Sequence, residues 1–296
     1  MGTATALVLS GGGPLAVAWE CGLVAGLARG GLAPGSVDFI LGTSAGAIVG
    51  AQLAAGCALE AMASAIMAES DGVLPRGAMP AYPVAAVDKL PALFASALGG
   101  EAGRAEVGAY ALSAATTEAR TMESETAYVE RIAVAIGVDD WPERDIGLVA
   151  VDVVDGKPVI LRRNCGATIA AAVAASCSLP GLSPPVSIGG RRYMDGGMRS
   201  TVNADLACGF DSILVLCFHP AGPVGERMLG RVAAQSEMLV KSGARVGVIS
   251  PDAASLAAIG PRTMDVVRRP GVARAGLAQG VAAAAAGLDT VAGFVR

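Results

Sequence analysis

The stretch Val37-Asp38-Phe39-Ile40-Leu41-Gly42-Thr43-Ser44-Ala45-Gly46-Ala47-Ile48-Val49 decides the fold. Val37 to Leu41 suits a buried strand, Gly42 to Gly46 punctuates it, and Ala47 to Ala55 returns to helix-forming small residues. From Phe39 to Leu59 the chain carries no charge for 21 residues, a length that could cross a bilayer. Gly42, Gly46, Gly50 and Gly56, with Thr43, Ser44 and Gln52, mark it instead as strand, tight turn and buried helix.

Working outward, Ala6 to Leu9 is a second apolar run, closed by Ser10-Gly11-Gly12-Gly13 and followed by Pro14, which suits the first turn of a helix running to about Arg29. The opening sixty residues therefore read as βαβα with a parallel sheet. Residues 56–141 are Ala-rich, helical and broken by Pro75, Pro80, Pro83 and Pro91, which predicts a helical cap over the sheet. Ile146 to Val153 and Pro158 to Leu161 flank Asp155-Gly156, a hairpin signal. Ala167 to Ser176 reads as a helix, Val186 to Ile188 and Arg191 to Met194 as a short hairpin around Gly189-Gly190, and Ile213 to Phe218 as a buried strand. The tail from about 225 to 296 is mostly helical, with Arg245 to Ile249 as a last strand. The expectation is one α/β domain over residues 1–296: a three-layer α/β/α sandwich with a mainly parallel central sheet.

Composition narrows the function. The 296 residues are 53% hydrophobic, with 40 glycines and 4% aromatics, so the interior is packed from small aliphatic side chains with close backbone approaches. A formal charge of −4 and only three lysines, Lys89, Lys157 and Lys241, leave no polycationic face for nucleic acid. Cys21, Cys57, Cys165, Cys177, Cys208 and Cys217 show no CxxC spacing, and one histidine gives zinc few ligands; buried free thiols are expected, with no metal or organic cofactor. No basic segment followed by an apolar core and cleavage site opens the chain, so a cytoplasmic protein is expected, with peripheral membrane contact left open.

Gly42-Thr43-Ser44-Ala45-Gly46 matches G-x-S-x-G between a predicted strand and a predicted helix. In that context a serine projects from a strained turn, with helix N–H groups beside any oxyanion formed there. Ser44 equally suits a simple helix N-cap. Gly11 to Gly13 presents unobstructed N–H groups at a strand's carboxyl end, a nest for an oxyanion. Gly11-x-Gly13-x-x-Ala16 also satisfies a dinucleotide fingerprint, which would make the chain a nucleotide-binding module, but the acidic residue expected at the second strand's end is missing, since Asp38 stands at its beginning. A hydroxyl nucleophile needs a base. Ser44, Asp195 and His219 follow the chain order of an α/β-hydrolase triad, while Asp195-Gly196-Gly197 alone offers a carboxylate on a turn, or an ordinary Asp-Gly turn like Asp155-Gly156.

Together the three segments resemble the patatin-like phospholipase family, over about residues 4 to 220: a glycine-rich loop near the N-terminus, G-x-S-x-G about thirty residues later, and D-G-[GA] well downstream. Ala174-Ala175-Ser176 to Pro180, Pro184-Pro185 and Arg192-Tyr193-Met194 also look like the family's approach to its aspartate. The resemblance implies a Ser-Asp dyad without histidine: Ser44 attacks a lipid ester, Asp195 takes its proton and later activates water, and the N–H groups of Gly11, Gly12 and Gly13 hold the oxyanion. One departure is Pro14-Leu15-Ala16, where the family's loop commonly has a basic residue and then glycine; the missing cation removes one partner for a lipid phosphate and weakens the case for phospholipid over neutral esters, without touching the dyad. In the cap, Val84, Val87, Leu90, Phe94 and Leu98 lie close to helical spacing, either as an interfacial lipid surface or, as the preferred reading, packed on the sheet.

Overall fold

The computed structural model describes residues 3–69, 82, 84–117 and 122–287. Strand β1 (Thr5–Leu9) leads through the glycine loop into α1 (Gly13–Arg29), and β2 (Phe39–Thr43) turns into α2 (Ala45–Ala54). Helices α3 (Leu59–Met67), α4 (Val84–Val87), α5 (Leu90–Ala97), α6 (Gly100–Thr117) and α7 (Glu125–Ile136) precede β3 (Asp145–Asp152) and β4 (Pro158–Leu161). The chain continues through α8 (Ile169–Ser176), β5 (Val186–Ile188), β6 (Arg191–Asp195), β7 (Ser212–Leu216), α9 (Pro223–Lys241), β8 (Arg245–Ile249), α10 (Ala253–Ile259) and α11 (Arg269–Ala285). The eight strands form one sheet, ordered β5-β6-β3-β2-β1-β7-β8, with β4 paired to β3. From β3 to β8 the neighbours run parallel; β4, β5 and β6 pair antiparallel.

Alternation along the strands sorts the core onto two faces. Leu7, Leu9, Ile40, Leu214 and Leu216 meet Trp19, Val49, Val173 and Val272 on one side. Ala6, Val8, Phe39, Leu41, Ile213 and Val215 meet Val232 and Leu239 of α9 on the other. This is the three-layer sandwich expected. The glycine excess finds part of its reason where α11 lies against α1: a Cβ on Gly22 would stand 2.2 Å from the Ala273 carbonyl oxygen, and one on Gly280 2.3 Å from that of Leu23. Only glycine lets these backbones approach so closely.

Residues 56–141 divide between layers instead of forming one cap. Helix α3 packs on α1 and α11, and α7 on α8 and α2, while α5 and α6 pack together and reach β3 or the turn after β6. Pro75 and Pro80 lie outside the described residues, as does Pro83. The cysteines are free, but only Cys21 and Cys217 are buried; Cys208 is exposed and the other three are half-buried, which corrects the expectation of uniform burial. No helix of the described residues is long and apolar enough to cross a membrane.

Candidate active site

The register of β3 brings two of the predicted site residues together. One edge of β3 pairs with β4 from Leu148 to Val151. Along the other, β2 runs parallel and stops at Thr43, opposite Val149, whereas β6 runs the opposite way and stops at Asp195, opposite Ala150. Two strands thus meet end to end on adjacent β3 residues, and Ser44, directly after β2, faces the carboxylate that ends β6.

Ser44 has φ 52° and ψ −114°, one of two non-glycine residues with positive φ among the described residues. Such a conformation costs roughly 1–3 kcal/mol and persists only where its surroundings hold it. Here they do: the Ser44 N–H donates to Ser176 Oγ at 3.0 Å, and Ser176 donates to the Val149 carbonyl at 2.6 Å. The Cys177 thiol donates to the Ser44 carbonyl at 3.1 Å. The turn is tighter than the sequence suggested, because Gly42 and Thr43 still belong to β2 and α2 starts at Ala45. The hydroxyl makes no cap bond to its helix, so the N-cap reading of Ser44 does not describe it.

Asp195 is 1% exposed. Its Oδ1 accepts the Gly197 N–H at 2.7 Å, while Oδ2 is sealed from solvent without a hydrogen-bond partner among the described residues. Burial pushes its pKa up to about 7, opposed by the Gly197 N–H and by the nearby Ser44 hydroxyl. The two side chains are therefore close enough to act on each other, yet no bond of normal geometry closes between them. Burial and then the Asp195 charge also drive the Cys177 thiol well above its usual range, which keeps it a neutral donor to Ser44.

The glycine loop adjoins this pair: a Cβ on Gly11 would lie 3.2 Å from that of Ser44. One expectation is corrected here. The Gly11 N–H already donates to the Thr201 carbonyl at 2.6 Å, which removes it from the oxyanion donors. The N–H groups of Gly12 and Gly13 have no partner among the described residues, nor does that of Ala45, whereas Gly46 donates to the Ser10 carbonyl and Ala47 to that of Ser44. Leu15 and Ala16 are fully buried core residues, so the position of the family's basic residue is used here for packing.

His219 stands apart: its Nδ1 lies 2.9 Å from the Pro220 carbonyl oxygen, and no hydrogen bond joins it to Ser44 or Asp195 among the described residues. Asp38 accepts from the Thr5 N–H at 2.7 Å, at the start of β1 and thus the end of the strand opposite the glycine loop, with its pKa lowered by those Thr5 bonds. Of the apolar stripe, Val87, Leu90 and Phe94 pack with Met194 and Met198, while Val84 and Leu98 are exposed. Phe94 reaches the turn after Asp195, its ring edge 3.6 Å from where a Gly197 Cβ would stand. Ala45, Cys177 and Phe94 were not legible as site residues, since their roles arise from contacts between distant segments.

A family model described as patatin-like phospholipase matches residues 7–208. Among solved structures, the chain is similar to VipD from Legionella pneumophila, at 12% identity and a TM-score of 0.45, covering 96% of this chain and 67% of that one. It is also similar to the type III effector protein ExoU, at 19% identity and a TM-score of 0.36, covering 95% of this chain and 54% of that one. Against ExoU from Pseudomonas aeruginosa in its complex with SpcU, the values are 17% and 0.32, with 94% and 53% covered. The chain thus spans two thirds of VipD and about half the length of ExoU. No curated protein sequence matches it.

Proposed function

Because the chain belongs to the patatin-like phospholipase family, we propose that it is a serine acyl hydrolase cleaving carboxylic esters of lipids, with Ser44 as nucleophile and Asp195 as its base. The observation that carries this reading is the abutment of β2 and β6 on Val149 and Ala150, which sets the strained serine against a buried carboxylate with one free oxygen.

Asp195 Oδ2 takes the proton as Ser44 Oγ adds to the ester carbonyl, and the N–H groups of Gly12, Gly13 and Ala45 receive the developing oxyanion. Collapse expels the alcohol, which recovers the proton from Asp195, and leaves an acyl-enzyme. The same carboxylate then takes a proton from water as the water oxygen adds to the acyl carbon, and collapse breaks the bond to Ser44 Oγ, which recovers that proton from Asp195 as the acid leaves. A base titrating near neutrality suits both steps, since it is ionised at physiological pH yet basic enough to accept a proton.

Two other readings lack such support. A Ser44/Asp195/His219 triad needs an imidazole bonded to both partners, and His219 is bonded to neither. A nucleotide cradle needs an acidic residue at the carboxyl end of β2, where Gly42 and Thr43 stand, and Asp38 is tied to Thr5 at the far end of the strands.

The test combines ester hydrolysis over a lipid panel with fluorophosphonate labelling. Ser44→Ala and Asp195→Asn are each expected to lower kcat by roughly 10³-fold or more, with His219→Ala within about threefold of native. Unchanged turnover in the first two variants would refute the assignment.

A further inference from the structure

Behind the two proposed reacting residues lies a second polar cluster, centred on Asn203. Its side chain is completely buried, and its backbone φ of 56° is left-handed, a conformation that asparagine tolerates better than most residues. The amide orientation is fixed by chemistry. Arg199, which can only donate, gives a hydrogen bond from Nη1 to Oδ1 at 2.8 Å, so Nδ2 faces the acceptors. These are the Gly196 carbonyl at 3.3 Å, the Ser200 carbonyl at 2.6 Å and Thr43 Oγ1 at 3.1 Å.

Two of those acceptors matter by position. Thr43 immediately precedes Ser44, and Gly196 immediately follows Asp195. Between the same two segments the sheet offers no direct ladder, because β2 and β6 meet end to end and are joined only through β3. We propose that Asn203 is a positioning residue, whose single amide clasps the residue before Ser44 to the residue after Asp195 and so sets the separation of nucleophile and base.

The surrounding loop is built to hold that amide still. The Ser200 hydroxyl accepts the N–H groups of Val202 and Asn203 and a bond from Gln235, Gln235 also accepts the Ala204 N–H, and Arg199 pairs with Asp205. Thr201, in the same turn, holds the Gly11 N–H. One short loop therefore touches the glycine loop, the serine turn and the aspartate turn, and Asn203 is its side chain bonded to both of the last two; from another side Ser176 holds the Ser44 N–H and the Ser178 carbonyl holds the Asp195 N–H, but through separate residues and not one amide. This inference rests on the proposed Ser44/Asp195 chemistry, and its test separates the two.

The experiment measures fluorophosphonate labelling and ester hydrolysis on the full chain, native and variant, from pH 5 to 9, with melting temperatures alongside. Asn203→Gly keeps the left-handed backbone and deletes the clasp; it is expected to lower kcat and the labelling rate by about 30- to 100-fold while KM stays within about threefold. Its pH midpoint moves up as the hydroxyl drifts from the carboxyl. Asn203→Asp keeps size, backbone and the Arg199 contact but turns an oxygen toward the two carbonyls, so it loses as much. A purely structural role served by Arg199 would survive that change, and native kcat in Asn203→Asp overturns the proposal. Thr43→Val removes one acceptor without touching the loop; it is expected to lose about tenfold and to add nothing in combination with Asn203→Gly. Full additivity, or native rates in Thr43→Val, also overturns it. A native chain that is not labelled at Ser44 refutes the underlying chemistry instead.

Discussion

The Ser176 hydroxyl accepts the Ser44 N–H at 3.0 Å and donates to the Val149 carbonyl at 2.6 Å, so α8 holds the serine turn against β3. Deleting the hydroxyl strands a buried N–H and leaves the strained turn free to relax. Ser176→Ala is expected to cost about 1–3 kcal/mol in urea unfolding and to lower kcat at least about tenfold with little change in KM. A variant as active as native would show that the turn holds itself.

Stability and activity pull Asp195 in opposite directions. Its folded pKa of about 7 lies above that of an unfolded aspartate, so between the two the folded chain holds a proton that the unfolded chain has lost. The favourable contribution is complete at acid pH and disappears as pH rises through about 7. Asp195→Asn removes the burden: its melting temperature should exceed that of native protein by a margin that widens from pH 5 to pH 8. A margin that is constant with pH would mean the carboxyl is not the titrating group.

With Asp195 as the proposed base, the same burial is expected to set the pH dependence of the reaction. A base must be ionised, so kcat/KM is expected to rise with pH through a midpoint near 7. Phe94 and its cluster cover the turn that carries Asp195. Phe94→Ser admits water, eases the desolvation and should lower the midpoint by about one pH unit. Initial rates on a soluble ester give the answer; an unmoved midpoint would assign the dry environment to other side chains.

What the sequence disclosed, and what it withheld, follows from where each signal resides. Runs such as Ala6 to Leu9 and Ile213 to Phe218 are apolar on both sides because both sheet faces are covered, so strands and layers were legible. The apolar run starts at Val37, yet β2 begins at Phe39, since the Asp38 side chain occupies the Thr5 N–H at that point. The division of residues 56–141 among layers was hidden, because it depends on which helices fit surfaces of small residues. Asp155-Gly156 and Asp195-Gly196 look alike in sequence; only the register on β3 makes one a hairpin turn and the other a neighbour of Ser44. Asn203 gave no local signal, as its partners lie up to 160 positions away.

The glycines of the serine turn test whether close approach is what places Ser44, the proposed nucleophile. A Cβ on Gly46 would stand 2.3 Å from the Leu9 carbonyl oxygen and 2.4 Å from its carbon, both backbone atoms of the central strand that cannot yield. Gly46→Ala must push α2 off β1, stretch the Gly46 N–H bond to Ser10 and carry Ser44 away from the glycine loop. We expect a loss of more than about 3 kcal/mol. Gly35→Ala is the control: its Cβ would meet Leu53 at an ordinary 3.7 Å, and its cost should stay within about 0.5 kcal/mol. Urea midpoints for the two variants decide the matter, because equal stability would mean that the turn tolerates a wider spacing and that the motif's glycines serve some purpose other than packing.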